Sequence, residues 1–149
     1  MTEQFTILIA DRNPHVRELL RREFISAGYR VQVAKDGREV LRMTNVNNPP
    51  DLLVLDLNIP YVGGLAILEQ LQDRELPLPV VVHTFLTEYA NHPAVQRTAG
   101  FFEKRGNNID GLKATVAQVL QKWYPNSPRT AAYVNAQSEK GGVSNDGNK

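Results

Sequence analysis

At 149 residues the chain has the length of one domain with a small appendage, and its 42% hydrophobic and 22% charged residues suit a soluble protein with an ordinary core. A formal net charge of +1 supplies no overall field toward nucleic acid or membrane, and the absence of cysteine excludes disulfides, thiolate metal sites and a thiol nucleophile. No apolar run approaches the roughly 18 residues of a membrane span, and MTEQFTILIA enters a strand without a signal-peptide stretch, so a cytoplasmic domain with no membrane partner is expected.

The first apolar run, ILIA, reads as a buried strand and ends at Asp11. Asn13-Pro14 then opens a helix, with proline at the first helical position where its missing N–H costs nothing. Val16, Leu19, Leu20, Phe24 and Ala27 form its apolar stripe, and Gly28 stops it. YRVQV alternates as a second strand with Val31 and Val33 on one face, and Asp36-Gly37 turns into a helix carrying Val40 and Leu41. The run NVNNPP breaks that helix. DLLVL is the third strand, ending at Asp56, and the loop DLNIPYVGG leads to a helix carrying Leu65, Leu68 and Leu71. PVVVHT is the fourth strand, ending at Thr84. In the next segment Pro93 cannot lie mid-helix, and fits a first helical turn behind Asn91 as cap. FFE is the fifth strand, ending at Lys104, and Ile109, Leu112, Val116, Val119, Leu120 and Trp123 mark a final amphipathic helix.

Five strands alternating with helices predict an α/β fold: a doubly wound five-stranded parallel sheet, flavodoxin-like, with strand order 2-1-3-4-5. From Pro125 the composition turns to Ser, Asn and Gly, with Tyr133 and Val134 the only sizeable apolar residues. Residues 125–149 are therefore expected to be a flexible tail behind a domain spanning 1–124. In an open α/β sheet the ligand crevice lies outside the carboxyl ends of the strands. Asp11, Asp56, Thr84 and Lys104 converge there, and two carboxylates, a hydroxyl and an ammonium suit a phosphoryl group and a cation.

Over residues 5–123 the chain resembles the CheY-like receiver domain of two-component response regulators. The resemblance is carried by ILIAD, DLLVLDLNIPYVGG, VVVHT and GFFEK in their order and spacing. It implies that Asp56 accepts a phosphoryl group from a sensor histidine kinase or phosphotransfer protein, with Thr84 and Lys104 contacting that group. Mg²⁺ is implied on Asp11, Asp56 and the backbone carbonyl of Asn58. Thr84 and Phe101 are the implied switch residues, and the module assists its own phosphorylation and slow dephosphorylation without being an enzyme. A protein target, and a homodimer through the fourth helix, fifth strand and fifth helix, are further family uses. The chemistry is coherent: a carboxylate is a competent nucleophile toward phosphorus, and phosphoryl transfer needs positioning and charge neutralisation more than a general base.

The chain departs from the family in four places. Arg12 stands where a second acid usually binds the metal, and a guanidinium ~5 Å from Mg²⁺ opposes it by about 6 kcal/mol at an effective dielectric of 20. Phe85 replaces a small residue after Thr84, and Arg105 replaces the usual proline after Lys104. The stretch between Thr84 and Lys104 is about two residues short, which falls on the fourth helix.

Arg12 also motivates an alternative, a phosphorylation-independent pseudo-receiver in which a cation beside Asp11 and Asp56 stands in for the metal. A nucleotide or flavin binder on the same sheet is disfavoured, because the loop after strand one begins with Asp11 and has no glycine. His15, His83 and His92 lack metal-ligand spacing and read as structural, His83 as a hydrogen-bonded core imidazole. Arg17, Arg21 and Arg22 read as a solvated face, and no helix is left over to recognise DNA.

Overall fold

The computed structural model describes residues 4–105 and 108–127. Within them β1 (Thr6–Ala10), β2 (Arg30–Ala34), β3 (Leu52–Leu55), β4 (Val80–Thr84) and β5 (Gly100–Glu103) form one parallel sheet in the order β2-β1-β3-β4-β5. The helices are α1 (Pro14–Ser26), α2 (Gly37–Thr44), α3 (Gly64–Gln72), α4 (Pro93–Gln96) and α5 (Ile109–Trp123). This is the predicted doubly wound arrangement. The predicted tail is described only to Ser127; Tyr133 and Val134 lie outside the described residues.

Strand alternation divides the core into two layers. Leu8, Leu53, Leu55 and Val82 face α2, α3 and α4, where they pack with Val40, Ile67, Leu68 and Val95. Ile7, Ile9, Val54 and Val81 face α1 and α5, where they pack with Leu20, Phe24, Leu112 and Val116. Because the central strands are buried on both faces, they are continuously apolar rather than alternating. Truncating any one of the fully buried leucines to alanine is expected to cost about 2–5 kcal/mol.

The helix ends follow the local chemistry. Asn13 Oδ1 accepts from the amides of His15 and Val16 at 2.9 and 3.3 Å, capping α1 ahead of Pro14. Gly28 ends that helix at φ +103°, a conformation that glycine adopts without steric cost. Asp36 caps α2 through the amide of Glu39. Pro93 begins α4 as predicted, but the cap is His92 rather than Asn91: its Nδ1 accepts from Ala94 N–H at 3.1 Å. A four-residue α4 behind a 3₁₀ turn at Thr87–Tyr89 is the outcome of the short segment between β4 and β5.

Several apolar assignments are corrected by position. Leu19 is 43% exposed, because it lies at the rim of α1 rather than over the sheet. Val33 is exposed because β2 is an edge strand, and Trp123 projects from the last turn of α5 at 39% exposure. Phe101 and Phe102 point to opposite faces of β5. Both are half-buried, Phe101 against the α2/α3/α4 layer and Phe102 against the α1/α5 layer.

Candidate functional site

The sheet ladder fixes the roots of the four polar side chains at the strand ends. Just past the strand ends, Asp11 N–H donates to Ala34 O at 3.1 Å, Asp56 N–H to Ala10 O at 3.0 Å, and Lys104 N–H to Thr84 O at 2.8 Å. The loop after Asp56 is held down by close backbone packing. Gly64 lies so near Leu57 that a Cβ there would come within 2.5 Å of the Leu57 Cα, and its N–H donates to Leu57 O at 3.1 Å. Tyr61 in the same loop has φ 73°, and its ring stacks under the Arg38 guanidinium at 3.6 Å.

All four predicted residues meet. Asp56 Oδ1 accepts the Thr84 hydroxyl at 2.8 Å and the Asn58 N–H at 3.0 Å. Asp56 Oδ2 accepts from Lys104 Nζ at 2.8 Å, and the same ammonium lies 2.6 Å from Asp11 Oδ2. Asp11 Oδ1 accepts the N–H of Asn13 at 2.9 Å. Asp11, Asp56, Thr84 and Lys104 are all buried. Burial pushes the Asp11 carboxyl above its usual range, while the Lys104 ammonium and the Asn13 amide pull it back. Thr84 Oγ1 also accepts from Leu86 N–H at 3.1 Å, so the hydroxyl ties the start of the β4–α4 segment to Asp56.

The flanking residues divide differently from expectation. The Arg12 side chain is exposed and forms no ion pair among the described residues, so the cation that bridges the two carboxylates is Lys104. Arg17 is no solvated bystander: its Nη1 donates to the carbonyls of Asp11 at 2.8 Å and Arg12 at 3.3 Å, clamping the β1–α1 loop. Arg21 and Arg22 do face solvent, both against Glu18. Phe85 is 70% exposed with its ring centroid 5.5 Å from Lys104 Nζ. It stands beside the crevice without filling it.

Val16, Leu19, His83, Phe85, Lys104 and Ile109 line a cavity of about 580 Å³ between α1 and the β5–α5 connection. His83 is only 7% exposed there, yet its Nδ1 has no hydrogen-bond partner among the described residues, which corrects the expectation of a bonded core imidazole. Burial, then the Lys104 charge, push its pKa down to about 4, so the ring is neutral at physiological pH.

The response regulator receiver domain family matches residues 7–117. The chain belongs to this family. The receiver is 39% identical over 94 residues to the response regulator MprA of Mycobacterium sp. (strain KMS), an alignment covering 63% of this chain and 38% of that protein. The chain thus spans well under half the length of the curated relatives it matches. Among solved structures it is similar to the response regulator TrrA of Thermotoga maritima in complex with Mg²⁺-BeF, at 27% identity and TM-score 0.72, covering 78% of this chain and 99% of TrrA. It is likewise similar to the receiver domain of the Francisella response regulator 1452, at 28% identity and TM-score 0.71, covering 80% and 98%. Receiver domains are signalling modules rather than enzymes of the usual kind, response regulators partner with histidine kinases, and the family binds Mg²⁺ at its acidic pocket. No helix among the described residues is long and apolar enough to cross a membrane.

The pocket of this receiver does not fit a tightly held Mg²⁺. The ion takes near-octahedral oxygen ligands. Here Arg12 follows Asp11 where the resemblance places a second acid, which leaves Asp11 and Asp56, bridged by the Lys104 ammonium at 2.6 and 2.8 Å, as the carboxylates of the pocket. No group of three acidic, histidine or cysteine side chains able to hold a metal occurs among the described residues.

Proposed function

We propose that this receiver accepts a phosphoryl group on the Asp56 carboxylate from the phosphohistidine of a sensor kinase or phosphotransfer protein in the cytoplasm, and signals the change through a protein contact. The observation that carries this reading is the carboxylate itself, oriented by Thr84 on one oxygen and Lys104 on the other, each at 2.8 Å. The family match and TrrA, solved in complex with Mg²⁺-BeF, support it.

In this reading Asp56 is the nucleophile, and its geometry is set before the donor arrives. Lys104 offsets the charge that develops on the transferred oxygens, and Thr84 supplies a hydroxyl to one of them. Moving Thr84 moves the β4–α4 segment through Leu86, and Phe101 on neighbouring β5 re-packs against the same layer. Incubation with acetyl phosphate followed by intact-mass spectrometry tests it. One phosphoryl adduct is expected on the wild-type chain and none on Asp56→Ala; an equal adduct on the variant, or none on either, refutes the assignment.

One observation favours a second reading, a phosphorylation-independent binding module. Thr84 already donates to Asp56 in the unmodified protein, and Lys104 already neutralises the pocket, so the position expected after phosphorylation is occupied beforehand. Amide chemical shifts across α4, β5 and α5 that stay unchanged on phosphorylation would support that module and count against signalling through Asp56.

A further inference from the structure

The poor fit of the pocket to a divalent ion coincides with a cation that nothing in the described structure employs. Arg12 immediately follows Asp11, its side chain is exposed, and it forms no ion pair among the described residues. Its root is nonetheless fixed. Arg17 Nη1 holds the carbonyls of Asp11 and Arg12, and the Asn13 amide closes on Asp11 Oδ1 at 2.9 Å. A long, exposed side chain on an immobilised backbone therefore follows directly on Asp11, one of the two carboxylates of the pocket. The nearby acid Glu103 pairs with Arg105, and the uncharged Phe85 ring lies 5.5 Å from Lys104 Nζ.

We propose that Arg12 folds onto the incoming phosphoryl group and, with Lys104, takes the place of the divalent ion, so that Asp56 is phosphorylated without Mg²⁺. This rests on Asp56 being the phosphoacceptor. With acetyl phosphate as donor, an Asp56 carboxylate oxygen bonds to phosphorus as the bond from phosphorus to the acetate oxygen breaks. The electron pair leaves on acetate, which needs no proton at neutral pH, so neither an acid nor a base is required. The acyl phosphate product carries up to two negative charges, which the ammonium and the guanidinium together offset. Planar guanidinium donors match two phosphoryl oxygens at once, a geometry that lysine does not reproduce.

The test is the rate of adduct formation from acetyl phosphate, read by intact mass in EDTA and in MgCl₂, for the wild type, Arg12→Ala, Arg12→Lys, Arg12→Asp and Asp56→Ala. Arg12 is exposed, so its variants are expected to fold, which circular dichroism checks. The wild type should react at the same rate in both buffers. Arg12→Ala should lose about a hundredfold in EDTA, the scale of removing one preorganised charge-stabilising donor. Arg12→Lys should recover part of that loss. Arg12→Asp should become Mg²⁺-dependent and show saturable Mg²⁺ binding by calorimetry that the wild type lacks. A wild-type adduct that forms in MgCl₂ and not in EDTA overturns the role of Arg12 and leaves Asp56 standing. An unchanged EDTA rate in Arg12→Ala overturns it too. Absence of any wild-type adduct in both buffers overturns both proposals.

Discussion

Lys104→Met removes the one ammonium that separates two buried carboxylates while keeping most of the side-chain volume. With Nζ at 2.6 Å from Asp11 and 2.8 Å from Asp56, each attraction is about 6 kcal/mol at an effective dielectric of 20. Desolvation of the three charges offsets most of that sum, and removing one partner of such a buried group costs about 3–5 kcal/mol. For a domain of this size that corresponds to a fall in Tm of roughly 10–15 °C. The pH dependence gives a second reading of the same charge. Asp11 titrates above its ordinary 3.8 through burial, opposed by its hydrogen bond to Lys104. In the variant that opposition is gone and the folded-state pKa rises further. A raised acid binds its proton more tightly folded than unfolded, so stability recovers as pH falls from the raised value toward 3.8. The deficit of Lys104→Met against wild type should therefore be largest at neutral pH and shrink on acidification. Asp11→Asn in the variant background should restore much of it at neutral pH. Urea titrations between pH 4 and 7.5 measure this. Equal stability at neutral pH, or a deficit that does not change with pH, would show that the ammonium does not hold these carboxylates together.

Two further outcomes follow from the same pocket. Thr84→Val deletes the hydroxyl that serves both Asp56 and the Leu86 amide; it should cost about 1–2 kcal/mol in urea unfolding while Thr84→Ser stays near wild type, and equal loss in both variants would contradict the hydrogen-bond argument. His83, with a pKa of about 4, should show no imidazole titration by NMR between pH 5.5 and 8. Because its folded pKa lies below the unfolded value, it should remove about 3 kcal/mol of stability as pH falls from 6.5 toward 4. A titration midpoint near 6.5 would show that the ring is solvated.

The fold was legible because the central strands are apolar on both faces and each stops at a polar residue, so strand ends and site residues announced one another. Asp11, Asp56, Thr84 and Lys104 all lie where the strand-end argument placed them. What escaped the sequence depended on neighbours in three dimensions. Leu19 fits the helical stripe of α1 but overhangs its rim, and how far Val33 is covered on the edge strand β2 depends on the helices packed beside it. His92 rather than Asn91 caps α4 because which residue immediately precedes the first turn is set by the path of the chain. Arg17 looked like one of three surface arginines. Its bond to two consecutive carbonyls depends on how α1 leaves the sheet, and no spacing in the sequence encodes that. The orphaned Nδ1 of His83 was equally invisible, since a valine-rich strand says that the ring is buried and nothing about its partners.

The four residues of α4 have a consequence for the time behaviour of the molecule. Little more than the bonds from Gln96 N–H to His92 O and Arg97 N–H to Pro93 O define that helix. The segment is held chiefly by Ala94 and Val95 in the core and by the Gln72 side chain on Ala94 O and on Arg97. Opening it breaks few backbone bonds and leaves the ladder from β1 to β4 intact. Its amides should accordingly exchange with deuterium through local excursions, while those of β1 and β3 wait for global unfolding. The face beside Thr84 is then expected to behave as a loosely latched shutter on a rigid frame, changing shape at a small fraction of the free energy that holds the domain folded.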